Sequence, residues 1–184
     1  MVRILLLIFF LLPGVCFGAP LNLDVEKIYT TPPVIKNFRH WFGSIEYGWI
    51  YYLAENHIAG FETELHLQFA QKKIIYALLI FGPAGMDQDN CVKKYKKVIK
   101  NLNKKYGHYK FMKQTKDPIV EDLIVMSPCH PFRIGAYELN THWLHKDGSI
   151  ISSLLGDNDG YYIETEYFFN KGSNHYDNVL KSAL

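Results

Sequence analysis

Hydrophobic and polar residues alternate most cleanly between positions 61 and 69. Phe61, Thr63, Leu65, Leu67 and Phe69 share one parity, and Glu62, Glu64, His66 and Gln68 the other. Successive side chains of a strand point to opposite faces, so this pattern predicts a strand with one buried and one solvated face. Upstream, residues 45–53 (IEYGWIYYL) are rich in β-branched and aromatic side chains, which suit a pleated, half-buried surface. Downstream, residues 74–81 (IIYALLIF) are apolar or aromatic at every position and predict a central strand. Short polar stretches separate the three, as in an antiparallel meander.

The period then changes. After Gly82-Pro83-Ala84-Gly85, the apolar residues Cys91, Val92, Tyr95, Val98, Ile99, Leu102 and Tyr106 recur at helical spacing. Lysines occupy the other side of the same helix. Asp87 or Asp89 is expected as its N-cap, and Gly107 as its left-handed C-terminal residue. Residues 109–134 lack any such period. Pro118, Pro128 and Pro131 exclude one long helix or a central strand there, so an irregular crossing is expected, with a short strand or a helical turn over 119–126.

Alternation returns in the last third. Residues 137–146 place Tyr137, Leu139, Thr141 and Trp143 on one face. Asp147-Gly148 reads as a tight hairpin turn, 150–155 as the return strand, and 161–169 as a third strand after the turn Asp157-Asn158-Asp159-Gly160. The tail, 170–184, is polar. The element order is βββ-α-βββ. A two-sided helix must bury its apolar stripe on a sheet, so the expected fold is α+β: an antiparallel sheet of five or six strands, built of two three-stranded meanders, with one main amphipathic helix across one face.

The first residues read differently. Arg3, an unbroken apolar run over 4–12, Pro13-Gly14 and small residues at Gly18 and Ala19 have the layout of a cleaved secretory signal peptide covering 1–18. Residues 19–44, broken by Thr30-Thr31-Pro32-Pro33, are expected to form an N-terminal arm with a short helix near 35–41, ahead of a single domain over 45–184. No second apolar stretch reaches spanning length, so the processed chain is expected to be soluble in the periplasm or outside the cell. Two cysteines remain after the leader, Cys91 and Cys129, and an even count in an exported chain predicts a disulfide.

Charge changes the picture more than composition does. The 184 residues carry a net charge of +2. Residues 90–116 nevertheless contain ten lysines and no acidic residue, while the rest of the processed chain is net −9. Lys93, Lys96, Lys97, Lys100 and Lys104 thus form a candidate face for an anionic surface, such as lipid or a polyanion, or for an acidic protein partner. The plainer alternative is the solvated outside of a packed helix. Nucleic acid is not expected, because the segment lacks arginine interleaved with aromatics. Trp49, Tyr51, Tyr162 and Tyr167 form a candidate aromatic surface for a glycan or a protein.

Catalytic signals are sparse. No nucleophile elbow, phosphate loop or dinucleotide fingerprint is present. The eight histidines form neither HExxH nor an i, i+4 pair on the helix, so no metal and no cofactor is expected. A calcium-loop register with Gly160 at its sixth position would put Leu155 where a carboxylate belongs, so this segment is read as a turn. Glu62 with Glu64, and Glu164 with Glu166, each share a strand face. Hence two functional expectations follow: a non-catalytic exported binding domain, and, as the alternative, an envelope- or glycan-directed enzyme using carboxylates or histidines of the sheet.

Overall fold

A computed structural model describes residues 23–25, 27–58, 60–82, 90–116, 129–134, 136–145, 148–157 and 160–169. Eight strands form one antiparallel sheet: β1 (Phe38–Ser44), β2 (Trp49–Ala54), β3 (Thr63–Ala70), β4 (Lys73–Phe81), β5 (Phe111–Lys116), β6 (Tyr137–His145), β7 (Gly148–Asp157) and β8 (Gly160–Phe168). Helix α1 spans Cys91–Tyr106, and a single turn, α2, spans His130–Arg133. The order across the sheet is β1-β2-β3-β4-β8-β7-β6-β5. Two four-stranded meanders therefore meet where their last strands pair, with Leu79 opposite Thr165 and Ala77 opposite Tyr167.

The sheet is thus larger than the five or six strands expected, and the two added strands are its edges. In place of a helix near 35–41, Phe38–Ser44 forms β1, in antiparallel register with β2 and bulged between His40 and Phe42. In the segment read as irregular, Phe111–Lys116 forms β5 against β6. An edge strand is held by backbone hydrogen bonds on one side only and buries little, so its side chains need not alternate. From Arg39 to Phe42, β1 is exposed at every residue. The expected leader (1–18), the caps Asp87 and Asp89, segment 119–126 and the tail 170–184 lie outside the described residues; Asn90 takes the N-cap position of α1. Gly107 ends that helix at the expected position, with a positive φ of 79° but a ψ of −175°, so its backbone is extended rather than left-handed helical.

Parity divides the sheet into two faces. The inner face carries Ile50 and Tyr52, Leu65 and Leu67, Ala77 and Leu79, Ile163 and Thr165, Ser152 and Leu154, and Thr141 and Trp143, all buried. Helix α1 crosses this face over β6, β7 and β8, burying Cys91, Tyr95, Val98, Ile99 and Leu102. One buried hydroxyl ties the two layers together: Tyr95 donates to the Ser152 carbonyl at 2.7 Å and lies 2.7 Å from Thr141 Oγ1. The N-terminal arm closes the other half. Its Tyr29 and Ile35 are buried, the Tyr29 amide donates to the Lys72 carbonyl, and the Tyr52 hydroxyl donates to the Pro33 carbonyl.

Helix α2 is seated through a missing side chain. Gly156 lies under it, where a Cβ would stand 2.7 Å from Arg133 Cα and 2.8 Å from the Phe132 carbonyl carbon. Phe132 beside it is buried and stacks on Tyr137, with ring centroids 4.7 Å apart. Just before α2, Cys129 is joined to Cys91 at the start of α1, their Cα atoms 6.0 Å apart. No helix among the described residues is long and apolar enough to cross a membrane.

Candidate functional site

Helix α1 covers β6–β8 but not the inner face of β5, and a groove of about 690 Å³ opens beside it. The side chains of Val92, Tyr95, Ile99, Leu139, Tyr137 and Met112 supply apolar and aromatic lining. Lys96, Lys100 and Lys104 stand along the helix side, one turn apart, and His108 follows them; among the described residues no carboxylate lines the groove. The end of the groove is held by Asn103. Its Oδ1 accepts from Trp143 Nε1 at 3.0 Å and from the Tyr109 amide at 3.2 Å, while Trp143 Nε1 also reaches the Gly107 carbonyl at 3.1 Å. These bonds fasten the loop that carries His108 and Tyr109 to the core. The Lys110 amide then donates to the His142 carbonyl at 2.8 Å, just before β5 begins.

The five lysines singled out in the sequence are therefore not equivalent. Lys96, Lys100 and Lys104 rim the groove, whereas Lys93 and Lys97 lie off it on the same helix. Groups of three ammoniums beside an apolar floor suit a ligand with an anionic head and an apolar body. His108, Tyr109, Met112 and Tyr137 complete the groove: Tyr137 shares the alternating face of β6, His108 and Tyr109 follow α1 directly, and only Met112 depends on the placement of β5 and carries no sequence signal of its own.

The opposite, outer face of the sheet carries a second constellation. Rings from four strands follow one another: Phe42 and Tyr51 at 6.0 Å, Tyr51 and Trp49 at 6.4 Å, Trp49 and Tyr76 at 6.0 Å, and Tyr76 and Phe168 at 5.0 Å. Tyr51 also meets His66 at 4.6 Å, and His66 Nε2 pairs with Glu64 at 3.0 Å. The Tyr76 hydroxyl donates to Glu166 Oε1 at 2.9 Å. Burial, reinforced by the Glu166 charge, raises the pKa of Glu164 above the ordinary carboxylate range.

Trp49 and Tyr51 lie in this ribbon, half-buried. Tyr162 is on the same outer face but opposite Leu155, away from the ribbon. Tyr167 is a correction: it is 2% exposed on the inner face, against Tyr106 and Phe169. Along β8 the odd positions Tyr161, Ile163, Thr165 and Tyr167 all point inward, so Tyr162 and Tyr167 cannot share a surface. The alternation already carried that parity signal. Phe42 lies in an edge strand within the stretch read as an arm, and Tyr76 in a run that is apolar or aromatic at every position, so alternation marks neither as a surface residue. The segment read as a turn rather than a calcium loop pairs Asp157 with Gly160, and the Gly160 amide donates to Asp157 Oδ1 at 3.1 Å.

Among the described residues, no three His, Cys, Asp or Glu side chains are placed to hold a metal ion together. Comparison with protein families, curated proteins and solved structures finds no match to this chain.

Proposed function

We propose that the protein is an exported, non-catalytic binding domain that engages an anionic amphiphile through the groove between α1 and β5–β6. The observation that supports this reading is the seating of Lys96, Lys100 and Lys104 on the rim of one apolar-floored groove that, among the described residues, no carboxylate lines. Its volume of about 690 Å³ falls within the range of small-molecule sites, about 300–1,000 Å³. The anionic head is met by the ammoniums and the apolar body lies over Ile99, Met112 and Leu139. Such a ligand reaches the groove either free in solution or presented by an anionic membrane.

The test is binding of the purified chain to a fluorescent fatty-acid probe, and to anionic and neutral vesicles, at low and physiological salt. Salt-sensitive binding to the anionic forms is expected. Lys96→Glu/Lys100→Glu/Lys104→Glu abolishes it, while Lys93→Glu/Lys97→Glu, outside the groove, weakens it only slightly. Equal losses from both sets of substitutions would return the effect to the whole lysine face. Unchanged binding in the triple variant would refute the groove. Binding to vesicles but not to the free probe identifies a membrane as the source of the ligand.

A further inference from the structure

The outer face of the sheet lies on the far side from α1, and its strands β3 and β8 carry carboxylates where α1 carries lysines. Between β2 and β7 this face carries Glu64, Glu164 and Glu166. Glu64 pairs with His66 and Glu166 accepts from Tyr76; among the described residues neither Glu164 nor Glu166 has a lysine or arginine partner. In cross-strand register, Glu64 and Glu164 flank Ile80, while His66 and Glu166 flank Leu78. Beside these carboxylates runs the ribbon of Phe42, Tyr51, Trp49, Tyr76 and Phe168. It spans the four strand spacings from β1 to β8, about 19 Å. Its β1 edge is open to water, with Trp41 61% exposed and Phe42 67%, whereas at β7 the same face is buried at Ser149, Ile151 and Ser153.

We propose that this outer face docks an extended basic polypeptide segment, its lysine or arginine side chains reaching Glu164 and Glu166 and its length lying on the aromatic ribbon. Three features select that occupant. Two carboxylates beside one another repel, and a basic partner supplies the cation that relieves the repulsion. Aromatic faces attract ammonium and guanidinium groups, the more strongly as water is excluded. The ribbon is a long stretch of sheet surface and fits an extended chain, which covers about 3.3 Å per residue, better than a compact amine. The raised pKa of Glu164 agrees with a carboxylate lacking its counter-charge. This surface is independent of the groove, which lies on the other side of the sheet.

The experiment titrates the full chain with the decapeptide (Lys-Ala)5, with (Glu-Ala)5, and with a neutral N-acetylglucosamine hexamer, by calorimetry at low and physiological salt. Only (Lys-Ala)5 is expected to bind, with affinity falling as salt rises. Glu164→Gln/Glu166→Gln and, separately, Trp49→Leu each weaken it by about tenfold or more. Lys96→Glu/Lys100→Glu/Lys104→Glu does not weaken it, which separates this surface from the groove. Unchanged far-ultraviolet circular dichroism and cooperative melting show that each variant is folded. Absence of peptide binding, or binding that survives Glu164→Gln/Glu166→Gln, overturns the proposal. Binding of the hexamer alone overturns it in favour of a glycan. Salt-sensitive self-association in sedimentation, lost in both the glutamine and the lysine-reversal variants, overturns it in favour of a second copy of this chain.

Discussion

Removal of the Cys91–Cys129 link is expected to lower stability by an amount that follows from the loop it closes. The two residues are 38 apart in sequence. On the chain-entropy account, freeing a loop of that length returns roughly 4 kcal/mol of conformational freedom to the unfolded state. For a domain of this size, each kcal/mol lowers the midpoint of thermal unfolding by roughly 2–4 °C, so a fall of roughly 8–15 °C is expected. Both cysteines are buried, and the Cys91 amide donates to Cys129 Sγ at 3.2 Å, so substitution also removes packing and one hydrogen bond. The closed loop contains the rest of α1 and all of β5, the two walls of the groove. Cys91→Ala/Cys129→Ala is therefore expected to weaken ligand binding as well as lower the melting point. The assay is thermal circular dichroism of the double variant beside the oxidised and reduced parent, with intact mass recording the two hydrogens that distinguish them. A double variant melting within about 3 °C of the oxidised parent, on the same size scaling, would refute the reasoning. So would ready labelling of both thiols in the native protein.

Three further outcomes follow from the core and the outer face. Gly156→Ala drives a methyl group into the backbone of α2 and is expected to destabilise the fold and to lift Phe132 from Tyr137; retention of parental stability in urea would show that α2 is not held there. Tyr95→Phe removes the hydroxyl that meets Thr141 and the Ser152 carbonyl, at a cost of about 1–3 kcal/mol in urea unfolding. Adding Thr141→Val is expected to cost less than its effect alone, because the stranded hydroxyl goes with it; strict additivity would contradict this. Glu164 has a raised pKa in the folded chain, so the folded state holds its proton to higher pH than the unfolded chain does, and stability falls as pH rises across that interval. Glu164→Gln is expected to raise the melting point at neutral pH, with the gain fading on acidification below the ordinary carboxylate range; a gain that does not change with pH would rule out the charge as its cause.

Much of the fold is legible in the residues taken locally. The 3.6-residue recurrence from Cys91 to Tyr106 marks α1, Gly107 marks its end, and two-residue alternation marks β3, β6 and β8, because each period records which side chains leave water. Cys91 and Cys129 form the pair that the sequence predicts. Strands β1 and β5 stayed hidden because an edge is defined by backbone hydrogen bonds to a neighbour, and those leave no mark on the side-chain pattern. The pairing of β4 with β8 is likewise a long-range choice between two meanders that look alike locally. Both candidate surfaces depend on these choices. The lysines of α1 were visible as a charge run, but only the position of β5 beside the helix makes a groove of three of them. The aromatic residues are visible as a surplus, and the alternation along β8 already separates Tyr162 from Tyr167, but only the order of β1, β2, β4 and β8 aligns the rings of the ribbon. Local periodicity reports burial against water, which each residue feels wherever it is; the partners across a sheet are decided by contacts between segments far apart in the chain, which only the folded structure brings together.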